Sequence, residues 1–118
     1  MPDIFDQVIA DLHSFGMAFP EAQIRSPWPG HQDLVVRDKT FTFLSVWDDV
    51  FRLSCKLPIS GEAALIFPFC SPTGYGLGKS GWVTAEFRPG EEMPVPLFKD
   101  WILESYKARA PKKLIALL

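Results

Sequence analysis

Phe51-Arg-Leu-Ser-Cys-Lys-Leu57 alternates without a break: Phe51, Leu53, Cys55 and Leu57 are apolar, and Arg52, Ser54 and Lys56 fill the positions between them. Two residues is the side-chain period of a strand, so the run predicts a strand with one packed face and one polar face. The segment before it, Phe41 to Trp47, is rich in aromatic and β-branched residues, and Asp48-Asp49 between the two runs is a turn. Within that segment Phe41 and Phe43 alternate before Leu44 and Val46 change phase, which predicts a bulge or burial on both sides. Working outward, Leu34-Val-Val36 reads as the preceding strand, with a turn at Asp38-Lys39, and the prolines at 27 and 29 turn the chain ahead of it. The three runs form an antiparallel meander. Downstream, Trp82-Val-Thr-Ala-Glu-Phe87 alternates cleanly and ends at Pro89-Gly90, giving a further strand.

Helical patterns flank these strands. Asp3 stands where a cap is expected before Ile4, Phe5, Val8, Leu12 and Phe15, an amphipathic helix that Gly16 is expected to end. Ser60 is placed to cap a short helix over Glu62 to Phe67, stopped by Pro68. Leu97, Phe98, Trp101, Ile102 and Tyr106 recur at helical spacing, and Pro111 suits the first turn of a last helix carrying Leu114, Leu117 and Leu118. The expected class is α+β, with residues 1–118 as one domain, a length that buries one core and not two.

Composition narrows the function classes. Ten Phe and four Trp need a packed interior. The longest apolar run, Ala63 to Phe67, falls far short of the roughly 20 residues of a membrane span. Asp3 and Asp6 occupy the place where a signal peptide carries basic residues, so a cytoplasmic protein is expected. Two cysteines build no disulfide scaffold, and Cys55, on the apolar side of its strand, reads as a buried thiol. The formal charge of −2 is uneven: residues 105–118 carry four basic residues and no acid. Such an end either complements a helix dipole or meets an anionic partner.

The glycine-rich stretch Gly74-Tyr-Gly-Leu-Gly-Lys-Ser-Gly-Trp-Val83 holds three phosphate-binding look-alikes. A P-loop needs glycine five residues before its Gly-Lys-Ser, and that position is Thr73; a strand pattern follows Ser80 where a helix start is required. Gly76-x-Gly78-x-x-Gly81 matches the dinucleotide fingerprint, but no strand-to-helix turn surrounds it. The extension to Val83 imitates a kinase glycine loop in a chain with no His-Arg-Asp or Asp-Phe-Gly sequence. The stretch is read as a tight loop that takes positive φ angles before the strand at Trp82. No metal-ligand spacing and no local catalytic pairing is visible around His13, His31, Cys70, Ser80 or Ser105, so no cofactor and no metal are expected, and no enzyme.

Three segments carry a family resemblance: "HQDLVVRDKTFTFL" (residues 31–44), "PTGYGLGKSGWVTAEF" (72–87) and "WILESYKARAPKKL" (101–114). Together they resemble the MmcQ/YjbR family of small bacterial proteins, over a span from about His13 to the carboxyl terminus. The resemblance implies a fold similar to that of the frataxin homologue CyaY, with helices packed on one face of an antiparallel sheet in a double-wing arrangement. It implies no known reaction, and members are often labelled DNA-binding. The recurring positions fall here on His31, Arg37, Lys39 and Phe41, on Gly76, Gly78, Lys79, Gly81 and Trp82, and on Trp101, Ser105, Tyr106, Pro111 and Lys112. The acidic first helix that frataxins use for iron is reduced here to Asp3, Asp6 and Asp11. That departure argues against iron.

Two functional readings follow. In the first, the chain is a non-enzymatic module that binds DNA weakly and in a salt-dependent manner, as a monomer or weak homodimer. His31, Lys39, Arg52, Lys56 and Lys79 neutralise phosphates while Trp82, an aromatic on the polar side of its strand, stacks or packs. The net negative charge counts against this reading. In the second, the chain binds a small molecule or a protein in a pocket between the glycine loop and the sheet, formed by Tyr75, Gly76, Gly78 and Trp82.

Overall fold

The computed structural model describes residues 3–118. Its elements are α1 (Ile4–Met17), β1 (Ala22–Arg25), β2 (Asp33–Val36), β3 (Lys39–Trp47), β4 (Val50–Lys56), α2 (Gly61–Ala64), β5 (Cys70–Pro72), β6 (Trp82–Phe87), α3 (Val95–Arg109) and α4 (Lys112–Ile115). The strands form one antiparallel sheet in the order β1-β2-β3-β4-β6-β5. The class is α+β.

The expected alternation of β4 is the organising feature. Phe51, Leu53 and Cys55 are fully buried against α1 and α3, with Phe51 packed on the rings of Phe5 and Phe98. On β6, Val83, Ala85 and Phe87 continue this apolar layer, since they pair with Cys55, Leu53 and Phe51. Burying a Phe side chain removes enough apolar surface to contribute about 2–3 kcal/mol. Helix α1 starts on Asp3, whose Oδ1 accepts from the Phe5 amide at 3.2 Å, and Lys99 of α3 bonds Asp11 of α1 at 3.0 Å.

The phase change in β3 is a bulge at Phe41. Leu34 pairs with Thr42 and Val35 with Thr40, so Phe41 has no partner on β2. Phe41 therefore turns to the helices, with its ring 5.2 Å from Tyr106, and Thr42 does the same, with its hydroxyl 3.7 Å from the Cys55 sulfur. Phe43, Ser45 and Trp47 are thereby moved to the uncovered face. Ser105 of α3 mends the interrupted ladder: its hydroxyl donates to the Phe41 carbonyl and accepts from the Lys56 amide at 2.8 Å. Both backbone groups are satisfied by one side chain.

Several local expectations are corrected. Gly16 lies inside α1, and a Cβ there would stand 2.6 Å from Leu34 Cδ1; it permits close helix–sheet approach and does not end the helix. The β2–β3 turn is Arg37-Asp38, one residue earlier than expected, with Arg37 at φ 54° and its guanidinium on Glu21 at 3.1 Å. Ser60 makes no side-chain cap; it donates to Glu104 at 2.6 Å, and Glu104 also accepts from the amides of Ile59 and Ser60. The short helix it opens ends at Ala64, not at Phe67. Strands β1 and β5 appear at the two edges of the sheet where no strand was expected.

Candidate functional site

The face of the sheet away from α1 and α3 carries a groove of about 850 Å³. Strand register builds its floor in two rows. Ser45 of β3 pairs with Arg52 of β4, Arg52 with Glu86 of β6, and an isolated bridge adds His31 opposite Ser45. One pleat along, Phe43 pairs with Ser54, Ser54 with Thr84, and Thr84 with Ser71 of β5. Directly opposed residues lie about 4.5–5.5 Å apart, so each row brings side chains distant in sequence into contact range.

The floor is polar and internally bonded. Thr84 shares hydrogen bonds with Ser54 at 2.7 Å and with Thr73 at 2.8 Å. Arg52 meets Glu86 at 3.5 Å. His31 Nδ1 lies 3.0 Å from Asp33, a carboxylate that is 1% exposed and also accepts from the Leu44 amide at 2.9 Å. Burial holds the Asp33 carboxyl above its ordinary range, against the pull of those two hydrogen bonds. The rims are aromatic: Trp28, edge-on to His31 with ring centroids 5.2 Å apart, stands on one side, and Tyr75, fully exposed at φ 59°, stands on the other.

Glycines shape both rims. Gly30 adopts φ 80°, and a Cβ there would fall 2.6 Å from the Val46 carbonyl oxygen, so the segment carrying His31 lies close on β3 only because residue 30 is glycine. Gly78 stands against Pro72, with 2.7 Å to a built Cβ, which folds the single 3-10 turn Leu77–Ser80 onto β5. The amides of Leu77, Gly78, Lys79 and Gly81 bond carbonyls within the loop. These bonds hold the stretch as a shaped loop.

The residues singled out from sequence separate in space. His31, Arg52 and Tyr75 line the groove. Lys56 and Trp82 pair with each other one row beyond it, Lys79 sits in the 3-10 turn, and Lys39, opposite Val36, lies towards the helix-covered side. Trp82 is 4% exposed, packed on Phe43 at 5.2 Å and beneath the Arg109 guanidinium at 5.7 Å, so its ring is occupied within the fold. Gly76 and Gly78 do not line the groove. Trp28, Asp33, Ser45, Ser54, Thr73 and Thr84 were not singled out. Alternation marks Ser54 and Thr84 as polar-face residues, but only the register reveals that they touch.

A second hollow of about 660 Å³ borders β5 and holds Cys70, Glu86, Arg88, Glu91 and Glu92. Burial pushes the Cys70 thiol up to about 11, so it stays protonated and a poor nucleophile at neutral pH. Among the described residues no cluster of His, Cys, Asp and Glu is arranged to hold a metal, and no helix is long and apolar enough to cross a membrane.

The geometry defines an α+β protein with one covered and one grooved sheet face. Among solved structures it is similar to the crystal structure of Deinococcus radiodurans protein DR2400, which carries the DUF419 domain: TM-score 0.68 and 24% identity over 90% of this chain and 86% of that one. The likeness is one of fold. No family model and no curated protein matches the chain.

Proposed function

We propose that this chain is a ligand-binding module of the MmcQ/YjbR family, and that its site is the groove on the uncovered sheet face. The family reading is supported by the three sequence segments together with the shared fold of a bacterial DUF419 protein. The functional reading is carried by one observation: a polar, internally bonded floor lies between two exposed aromatic rims, Trp28 and Tyr75. Apolar walls with a few placed polar groups are what a site for a small ring-bearing molecule requires. DNA binding receives less support, because Arg52 and His31 face carboxylates, and Trp82 is packed.

Ligand-observed NMR screening of ring-containing fragments against the protein and its Trp28→Ala variant tests the reading. Hits that bind the protein and are lost in the variant support the groove; hits indifferent to the variant remove it. The DNA reading is tested by anisotropy with labelled duplex at low and physiological salt. Binding that weakens steeply with salt and is lost on changing Lys56 and Lys79 to Ala would replace the groove reading.

A further inference from the structure

His31 and Asp33 form a device that a plain binding surface does not need. The carboxylate of Asp33 is buried beneath the floor and held by the Leu44 amide. A carboxylate accepts and does not donate, so its contact with His31 Nδ1 fixes that nitrogen as the N–H and leaves Nε2 with the free lone pair. Among the described residues Nε2 has no protein partner, and the ring lines the groove. Opposite it, the bridge formed by Gln32 N–H to Leu44 O and Val46 N–H to Gly30 O makes His31 and Ser45 a closely spaced cross-strand pair. Arg52 and Glu86 follow along the same row. The other charged or titratable groups facing this corner are His13 of α1, which bonds the Gln32 carbonyl at 2.8 Å, and Arg25 of β1, paired with Asp33 in register.

We propose that the His31–Asp33 pair is the proton acceptor of the groove, and that the ligand class is a planar molecule with a weakly acidic hydroxyl, a phenol or an enol, docked with that hydroxyl on His31 Nε2. The proposal rests on the groove reading. On binding, the hydroxyl proton passes to Nε2, the ligand keeps the electron pair as an oxyanion, and the imidazolium formed is held between that oxyanion and the Asp33 carboxylate. Charge is conserved, and no co-reactant is required. The Asp33 carboxylate accepts from Nδ1 throughout, so Nε2 is the nitrogen that receives the proton. Arg52, two places along the row, lies within range to favour the oxyanion as well.

The probe is 4-nitrophenol, whose phenolate is distinguished from the phenol by visible absorbance, paired with 4-nitroanisole, which has the same ring and no acidic proton. At a pH where free 4-nitrophenol is mostly protonated, binding is expected to raise the phenolate-to-phenol ratio by about tenfold, with the His31 ring moving to its imidazolium position by NMR. Asp33→Asn is expected to abolish the gain and to weaken 4-nitrophenol more than 4-nitroanisole, because an amide that donates to Nδ1 puts the proton on Nε2. His31→Gln is expected to abolish the phenolate gain as well, with a larger loss for 4-nitrophenol than for 4-nitroanisole, and without altering a buried carboxylate, should Asp33→Asn fold poorly. Equal binding of both probes with no phenolate gain would overturn the proton-acceptor inference and leave the groove standing. A phenolate gain lost in Arg52→Gln but kept in His31→Gln would also overturn it. Binding of neither probe would overturn the inference and count against the groove itself.

Discussion

Strands β4 and β6 present two chemistries from one backbone. Towards the helices they show Phe51, Leu53, Cys55, Val83, Ala85 and Phe87; towards the groove they show Arg52, Ser54, Lys56, Trp82, Thr84 and Glu86. Ser54 and Thr84 are nearly as inaccessible as the apolar set, yet they are satisfied by each other and by Thr73. The covered face is held by non-directional packing, which tolerates changes that conserve volume. The grooved face depends on hydrogen bonds whose geometry register alone sets. Apolar packing is therefore concentrated on one side and directional polar contacts on the other.

Substitutions can break that division in a graded way. Phe51→Ala is expected to cost about 3–5 kcal/mol in urea denaturation, because it empties the space between the Phe5 and Phe98 rings. A loss below 1 kcal/mol would show that the covered face does not hold the fold. Alkaline pH attacks the same face more gradually. Burial pushes the Cys55 thiol up to about 12, against 9.0 for an unburied thiol. Below pH 9.0 both states keep the proton and the contribution is fully present. Above it the unfolded chain releases the proton first, so stability falls as pH rises towards 12, by about 2 kcal/mol at 1.5 units past the unfolded value. Burial raises the Tyr106 phenol too and acts in the same direction. In Cys55→Ala the decline between pH 9 and 10.5 should flatten; an unchanged slope would assign it elsewhere.

Ser105→Ala tests the seam between the two faces. It leaves the Phe41 carbonyl and the Lys56 amide unpaired, and a loss of about 2 kcal/mol is expected. Thr84→Val, on the grooved side, should cost about 1 kcal/mol while abolishing fragment binding, since the shape remains and the hydroxyl chain does not. A Thr84→Val protein that binds fragments normally would mean that the floor hydroxyls set no specificity.

How much of this was legible in the chain depended on distance along it. The alternation of β4 and β6, the Asp48-Asp49 turn and the Asp3 cap are local, and each stands where expected; Asp48 and Asp49 both adopt positive φ, at 54° and 61°, as a two-residue hairpin turn of the primed kind requires. Strands β1 and β5 were not legible. Gln23 and Arg25 are polar, β5 is three residues ending in Pro72, and both exist only because a neighbouring strand offers a ladder. The candidate site was half visible. His31, Arg52 and Tyr75 could be singled out by type, but Trp28 lies between the two prolines of an expected turn, and Asp33 lies just ahead of the strand expected from Leu34. Their juxtaposition with Ser45 and Glu86 is a product of register, which no local pattern encodes. Reading His31 and Arg52 as phosphate contacts did not account for the carboxylates that share the same rows.

The Ser105 hydroxyl has a further consequence, in the order of assembly. The β3–β4 hairpin can zip from Asp48-Asp49 by neighbour-to-neighbour contacts, but its far end closes through a residue 49 positions beyond Lys56 and 64 beyond Phe41. Such a closure waits on the slow search that long loops impose. Until α3 docks, the end of the hairpin nearest the 3-10 turn stays frayed, so a helix synthesised after every strand is the one that locks the strand register on which the groove depends.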